Sequence, residues 1–208
     1  MDDRVIRLTE ADAARAGAVL GRAFRDDPFH VYFLPDATAR ACRLPALYAS
    51  AIRFGCRYGE VWGVEAEPGG ALIGVGLWLP APGGEWTPGR MADVGMSLPD
   101  LLGADAAERL EVPFAAIEAA LEHAVPQPHW YLSNIGVDPG WQRRGVGAAL
   151  VRRIAARAAA ERVPGCFWTV QPMNVPFYRR LGFTIATEGV EPTSQLPYWI
   201  FRRYADTP

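Results

Sequence analysis

Residues 137–147 of this 208-residue chain are Val-Asp-Pro-Gly-Trp-Gln-Arg-Arg-Gly-Val-Gly, and this stretch decides the fold. An apolar, strand-like segment over 130–137 leads into it, and a helical periodicity over 147–162 leads out of it. Glycines at a helix start let backbone N–H groups approach a ligand closely, and the helix dipole favours an anion there. Two neighbouring arginines add positive charge. The stretch therefore predicts a strand, a phosphate-binding turn and a helix.

Two common phosphate-binding loops are excluded by the side chains beside these glycines. A Walker A loop has Lys followed by Ser or Thr after its last glycine, whereas Ala148 and Ala149 stand here. A dinucleotide-binding loop has a third small residue three positions further on, where this chain has Leu150. A helix start with two turn glycines and no ligand remains open on these residues alone.

A second informative stretch lies at residues 174–183, Asn-Val-Pro-Phe-Tyr-Arg-Arg-Leu-Gly-Phe. It predicts a short helix over 174–181, with Asn174 as N-cap and Gly182 as C-cap. Tyr178 follows Asn174 by four residues, so both side chains project from one face of that helix. A phenol has an ordinary pKa of about 10 and can donate a proton at neutral pH. Tyr178 is therefore either a general acid or a packed ring.

Together the two stretches resemble the GNAT superfamily of N-acetyltransferases. Residues 137–147 follow Val-x-Pro-x-x-Gln-x-x-Gly-x-Gly, which is similar to the coenzyme A loop of that superfamily. Residues 174–183 are similar to its second signature, Asn…Tyr…Gly-Phe, and stand in the family's order and spacing. The weaker pattern of the earlier elements, including residues 23–28, resembles the puromycin N-acetyltransferase-like branch.

The resemblance implies the fold and its organisation. We expect an α/β (α+β) fold with a mixed, mostly antiparallel central sheet flanked by helices and splayed between the strands at 130–137 and 166–170. We expect one domain over 1–208. In it, residues 1–128 form an acceptor-side half with an insertion at 80–124, and residues 129–203 bind acetyl-CoA.

The resemblance also implies roles for the matching residues in a direct acetyl transfer from acetyl-CoA. The backbone of Ile135, Gly136 and Val137 would pair with the pantetheine arm and stabilise the oxyanion near Val137. Asn174 would bond the pantetheine or adenylate side, and Tyr178 would protonate the departing thiolate. The diphosphate would be held by the loop and helix start, whose residues are Gln142, Arg143, Arg144, Gly145, Val146, Gly147 and Ala148.

The acceptor side is less specified. Puromycin-type relatives carry a glutamate on the strand equivalent to residues 166–169, where this chain has no carboxylate. The general base therefore stays open among Asp26, Asp27, His30 and Glu65. For contacts with the acceptor we expect aromatic and polar residues from the first half of the chain, namely Phe29, His30, Tyr32 and Trp78.

Composition narrows the partners. The net charge is −2 and all 21 basic residues are arginine, which makes no electrostatic case for nucleic acid or an anionic membrane. We expect the acceptor to be a small-molecule amine and the reaction to need no metal. We expect the protein to be cytoplasmic and to be a monomer or a homodimer. A non-catalytic acyl-CoA-binding or sensing module and a protein or peptide N-acetyltransferase remain alternatives.

The other segments are predicted from periodicity and breakers. An aromatic stretch over 29–33 leads into a turn, and a Gly- and Pro-rich loop with some helix covers 80–103. A helix over 104–124 should be bent or broken by Pro113. The remaining elements are strands at 5–8, 183–187 and 198–202, a helix that starts at 10–12 and continues to Phe24, a helix at 39–57, and a hairpin of 61–64 with 71–79.

Overall fold

The fold is built on a seven-stranded sheet, described by a computed structural model that covers residues 4–204. Its strands lie in the order β1-β2-β3-β4-β5-β7-β6, and β4 and β5 are the parallel pair in this otherwise antiparallel sheet. The strands are β1 (Val5–Arg7), β2 (Glu60–Glu65), β3 (Leu72–Ala81), β4 (His129–Val137), β5 (Gly165–Thr169), β6 (Thr184–Val190) and β7 (Pro197–Arg203).

Helices cover both faces of this sheet. They are α1 (Ala13–Ala23), α2 (Pro28–Phe33), α3 (Ala37–Tyr58), α4 (Pro88–Asp93), α5 (Leu98–Leu102), α6 (Ala104–Ala124), α7 (Val146–Ala160) and α8 (Val175–Arg180). Leu77 of β3 points at α3, because a Cβ added to Gly55 would collide with its side chain. The preceding residue, Gly76, faces α7, because a Cβ there would lie 3.6 Å from Leu150 Cβ. The predicted mixed, mostly antiparallel sheet flanked by helices is confirmed.

The two long helices of the first half pack at very short range. A Cβ on Gly17 of α1 would lie 2.5 Å from the carbonyl oxygen of Pro45 in α3, so only glycine permits this approach. The packing holds α3 against α1, and α3 also contacts α2. This corner of the molecule carries Phe29, His30 and Tyr32, which are among the residues expected to contact the acceptor.

The structure corrects the interpretation of two segments. Residues 29–33 belong to the helix α2, since Asp27 accepts a hydrogen bond from the Phe29 N–H and Pro28 occupies the first turn. The helix α6 runs through Pro113 without a break, with Ile117 buried one turn further on. Burial of an apolar face offsets the hydrogen bond that the proline removes.

Two other features concern the expected loop and the membrane. The segment 80–103 contains the short helices α4 and α5, in agreement with a loop that includes some helix. In the part of the chain that the structure describes, no helix has the length and apolar character needed to cross a bilayer.

Candidate active site

The parallel strands β4 and β5 part after only two residue pairs. Trp130 lies opposite Gly165 and Tyr131 opposite Cys166, and no further pair joins the strands. On its other edge β4 stays paired with β3 as far as Val137. The backbone of β4 beyond Tyr131 is therefore free on the side that faces β5, where an extended ligand can take the place of a strand. The predicted splay is confirmed.

A half-buried carboxylate ties the strands together where they part. One oxygen of Glu118, on α6, accepts hydrogen bonds from the Tyr131 hydroxyl and the Trp168 Nε1–H, both at 2.6 Å. Burial raises the pKa of this carboxyl above its usual range, against the effect of the two donors. Sequence reasoning missed Glu118, because an acid on an amphipathic helix has no local signal for burial.

A cavity of about 820 Å³ opens at the wedge between the parted strands β4 and β5, and it extends to α2, α3 and α6. Both parted strands line it, with Leu132–Ile135 on one side and Phe167–Val170 on the other. Most of the remaining wall is apolar and aromatic. The ionisable residues in the wall are Asp27, His30, Tyr48, Glu108, Glu111 and Tyr178, and no arginine lines it among residues 4–204.

Tyr178, in the middle of α8, and Asn174, the residue before that helix, both reach this cavity. The Tyr178 ring lies 4.0 Å from the Phe167 ring between centroids, and burial raises the pKa of its phenol well above the usual value. Gly182 ends the helix with a positive φ of 82°, and Phe183 N–H donates to the Tyr178 carbonyl at 3.2 Å. The short helix thus holds the phenol at the wedge.

Asn174 does not cap this helix with its side chain, contrary to expectation. Its amide donates instead to Thr169 Oγ1 at the end of β5, at 3.3 Å. This bond connects α8 to one of the parted strands.

The glycine-rich loop lies at the end of β4. Gly145 is the N-cap of α7 with a φ of 84°, and Arg143 also has a positive φ of 60°. Ala149 donates the helix's early hydrogen bond to the Gly145 carbonyl, so the N–H groups of residues 146–148 precede the helical ladder. A Cβ on Gly147 would lie 3.5 Å from the Phe177 ring, which brings the two sequence stretches into contact. The loop residues 142–145 are exposed and available to a ligand.

The structure brings only some of the predicted residues to the cavity. Phe29, His30, Ile135, Asn174 and Tyr178 line it, whereas the glycine-rich loop, Gly136 and Val137 do not. The loop lies where β4 leads out of the wedge, and its contact with Phe177 joins it to α8.

Two acceptor-side expectations are corrected. Trp78 is fully buried, and its ring lies 3.7 Å from where a Cβ of Gly165 would stand, so its side chain belongs to the core. Tyr32 is half-buried on α2 and does not line the cavity either. We therefore leave both out of the acceptor site.

Two of the candidate bases also lie outside the cavity. Glu65 accepts from Arg15 and from the Gly69 N–H, and Asp26 is 79% exposed beside Arg25. Asp27 and His30 remain, and both line the cavity. Among residues 4–204 no group of three or more potential metal ligands comes together.

Comparison with known proteins agrees with this geometry. The model of the acetyltransferase (GNAT) family matches residues 31–183. The solved structure of a histone acetyltransferase HPA2 and related acetyltransferase from Corynebacterium glutamicum has a TM-score of 0.71 at 23% identity, covering 98% of this chain and 97% of the other.

Two insect structures share the fold at lower identity. Arylalkylamine N-acetyltransferase 2 from Aedes aegypti has a TM-score of 0.62 at 10% identity, with 98% and 99% of the chains covered. A Drosophila melanogaster polyamine N-acetyltransferase has a TM-score of 0.59 at 16% identity, with 96% and 98% covered. Because the family model spans well over half of the chain, this protein belongs to the GNAT family and is an acetyltransferase.

Proposed function

We propose that this enzyme transfers the acetyl group of acetyl-CoA directly to the amine of a small molecule. The observation that carries the proposal is the cavity at the wedge, which joins Tyr178, the free edge of β4 and an aromatic chamber whose described wall holds no arginine. Enzymes of this family use acetyl-CoA. The structural fit for that donor is a free strand edge for an extended arm and a glycine-flanked helix start for a diphosphate.

The donor side is assigned to the second half of the chain. We propose that the backbone of Ile135, Gly136 and Val137 bonds the pantetheine arm, and that Asn174 orients it. Gln142 donates its side-chain amide to the Val137 carbonyl at 3.2 Å, which ties the loop to the end of β4. The diphosphate is assigned to the N–H groups of residues 143–148, where the α7 dipole and two arginine side chains favour an anion.

The chemistry is assigned to groups at the wedge. Acetyl-CoA supplies an activated thioester carbonyl. As the amine nitrogen bonds to the carbonyl carbon, backbone N–H near Val137 stabilises negative charge on the carbonyl oxygen. As the C–S bond breaks, Tyr178 delivers a proton to the sulfur, and the phenolate regains a proton that the attacking nitrogen releases. Because burial raises the pKa of its phenol, Tyr178 keeps that proton through neutral and mildly alkaline pH.

The acceptor side is assigned to the chamber between α2, α3 and α6. Its carboxylates, Asp27, Glu108 and Glu111, attract a cation, and its aromatic rings suit an apolar body. The chain has 21 arginines, yet the described wall of the cavity holds none of them. Such a wall disfavours acceptors that carry a carboxylate or a phosphate. The run at 23–28, which resembles the puromycin-type branch, contributes Phe24 and Asp27 to the wall of the cavity, and that branch remains part of the proposal.

We expect the charge of the chamber to decide acceptor choice. Phenethylamine and phenylalanine have the same body, but only phenylalanine carries a carboxylate. The KM for phenylalanine should exceed that for phenethylamine by about tenfold or more. The reason is that the carboxylate of phenylalanine is repelled by Asp27, Glu108 and Glu111, and the described wall holds no arginine to pair with it. Steady-state kinetics with acetyl-CoA in excess gives both values.

The Glu108→Gln/Glu111→Gln double variant should narrow this difference, most clearly at low ionic strength, because both side chains are exposed at the mouth. Glu122→Gln is the matched control, since Glu122 is exposed near the end of the same helix but does not line the cavity. Equal KM values for the two acceptors would contradict the assignment of the chamber.

A further inference from the structure

A chain of hydrogen bonds runs along the acceptor side of the cavity from α2 to α3. His30 Nδ1 lies 3.0 Å from Asp27 Oδ1, and His30 Nε2 lies 2.5 Å from the Tyr48 hydroxyl oxygen. All three residues line the cavity. The rings of His30 and Tyr48 both stack on Phe24, with centroids 5.0 and 5.1 Å away, so their positions are fixed by packing.

The direction of these bonds follows from the partners. Asp27 Oδ1 also accepts from the Phe29 N–H at 3.0 Å, so Asp27 acts as an acceptor and His30 Nδ1 carries the proton that faces it. In the neutral imidazole, Nε2 then accepts the Tyr48 proton. Burial, and secondarily the charge of Asp27, raise the pKa of Tyr48 well above its usual value, so the phenol stays protonated.

The arginines packed against α2 donate to backbone carbonyls. The Arg40 guanidinium donates to the Leu34 and Pro35 carbonyls just beyond the C-terminal end of α2. It also donates to the Arg25 carbonyl before the start of α2 and lies 3.8 Å from the exposed Asp26 carboxylate. Arg109 donates to the Phe33 carbonyl. From α6, Glu108 and Glu111 face the same cavity but are exposed at its mouth.

We propose that Tyr48, His30 and Asp27 form a relay that removes a proton from the acceptor's ammonium group. The inference rests on the proposed function and deepens it by assigning the base. An N–H bond of the ammonium breaks as an O–H bond forms at Tyr48, and the phenol's own proton passes to His30 Nε2. Asp27 keeps its negative charge beside the imidazolium and acts as a positioning residue. The neutral amine is then free to attack, and the imidazolium later returns its proton to water.

This relay supplies a base that the parted strands do not carry, whereas Glu108 and Glu111 are exposed at the mouth of the cavity. The strand over 166–169 has no carboxylate, and its residues at the wedge include Phe167 and Trp168. Asp26 and Glu65 lie outside the cavity. Of the four candidate bases, Asp27 and His30 are therefore the two that line the cavity, and both belong to the hydrogen-bonded relay.

The test compares two acceptors of different basicity at neutral pH. A primary alkylamine is protonated there and must lose a proton before attack, whereas an aromatic amine is already neutral. Tyr48→Phe and His30→Gln should lower kcat/KM for the alkylamine about 100-fold and change it less than about fivefold for the aromatic amine. Acetyl-CoA affinity by calorimetry should stay unchanged.

Asp27→Asn supplies a pH readout. Asn keeps the cap on α2, and its carbonyl oxygen still accepts from His30, so the helix remains intact. Loss of the negative charge leaves the imidazolium formed in the relay without its partner, which lowers the plateau of the pH profile of kcat/KM for the alkylamine.

Tyr58→Phe is the matched control for Tyr48→Phe and should keep the wild-type kcat/KM for both amines. Tyr58 ends the same helix as Tyr48, and its hydroxyl donates to Asp93 away from the cavity.

Equal losses for the two acceptors would show a structural role and overturn the relay, as would unchanged rates in Tyr48→Phe and His30→Gln. Thermal melting confirms that each variant is folded before assay, and Asp27→Asn keeps the inference testable if Tyr48→Phe does not fold. Failure of the wild-type enzyme to acetylate either amine would instead overturn the proposed function.

Discussion

Replacing Tyr178 by Phe is expected to lower kcat about 100-fold or more while the affinity for acetyl-CoA persists. The substitution keeps the ring that packs on Phe167 and removes only the hydroxyl that would protonate the thiolate. In the wild-type enzyme kcat should hold to at least about pH 10, because burial raises the phenol's pKa above its ordinary value. A free-thiol assay across pH, with single-turnover measurements, gives the chemical step.

The control for this prediction is Tyr198→Phe. Tyr198 is half-buried on β7 and does not line the cavity, so its variant should keep the wild-type kcat. If Tyr178→Phe retained the wild-type rate when chemistry limits turnover, Tyr178 would be a packing residue.

Replacing Gly145 by Val is expected to weaken acetyl-CoA binding about tenfold or more. Gly145 has a φ of 84°, a region that costs a residue with a side chain roughly 1–2 kcal/mol. A shift of the loop to relieve that cost moves the N–H groups assigned to the diphosphate, and about 1.4 kcal/mol corresponds to tenfold in affinity. Isothermal titration calorimetry with acetyl-CoA measures the change.

Gly69→Val separates strain from binding. Gly69 has a φ of 75° in the β2–β3 turn, with open space around it, so the same substitution strains the backbone far from the loop. Both variants should melt at lower temperature, but only Gly145→Val should bind the donor more weakly. Equal acetyl-CoA affinity in the two variants would contradict the assignment of the diphosphate to this loop.

The fold and the wedge were predictable because their signals are local. The glycine-rich stretch over 137–147 requires a positive φ and a helix start, and the structure has both, at Gly145 and at α7. The splay between β4 and β5 was implied by the family resemblance and is seen in their short pairing. The same resemblance predicted an acetyltransferase, which the family match confirms.

The acceptor side was harder to predict, because its residues meet only through tertiary packing. Tyr48 lies on an amphipathic helix, where an aromatic residue indicates core, and its bond to His30 spans two helices. Glu118 likewise has no sequence signal for its contact with the parted strands. For Trp78 the error was the opposite one. We expected this tryptophan, which precedes a loop, to contact the acceptor, whereas its side chain is buried in the core.

The central claim is tested most directly by the identity of the acetylated product. Purified enzyme and acetyl-CoA are incubated with an equimolar mixture of small primary amines and basic peptides, and the products are analysed by mass spectrometry. We predict an added acetyl group on one or more apolar small amines, its rate falling with Tyr178→Phe. Acetylation of peptides alone, with every small amine unchanged, would contradict the account.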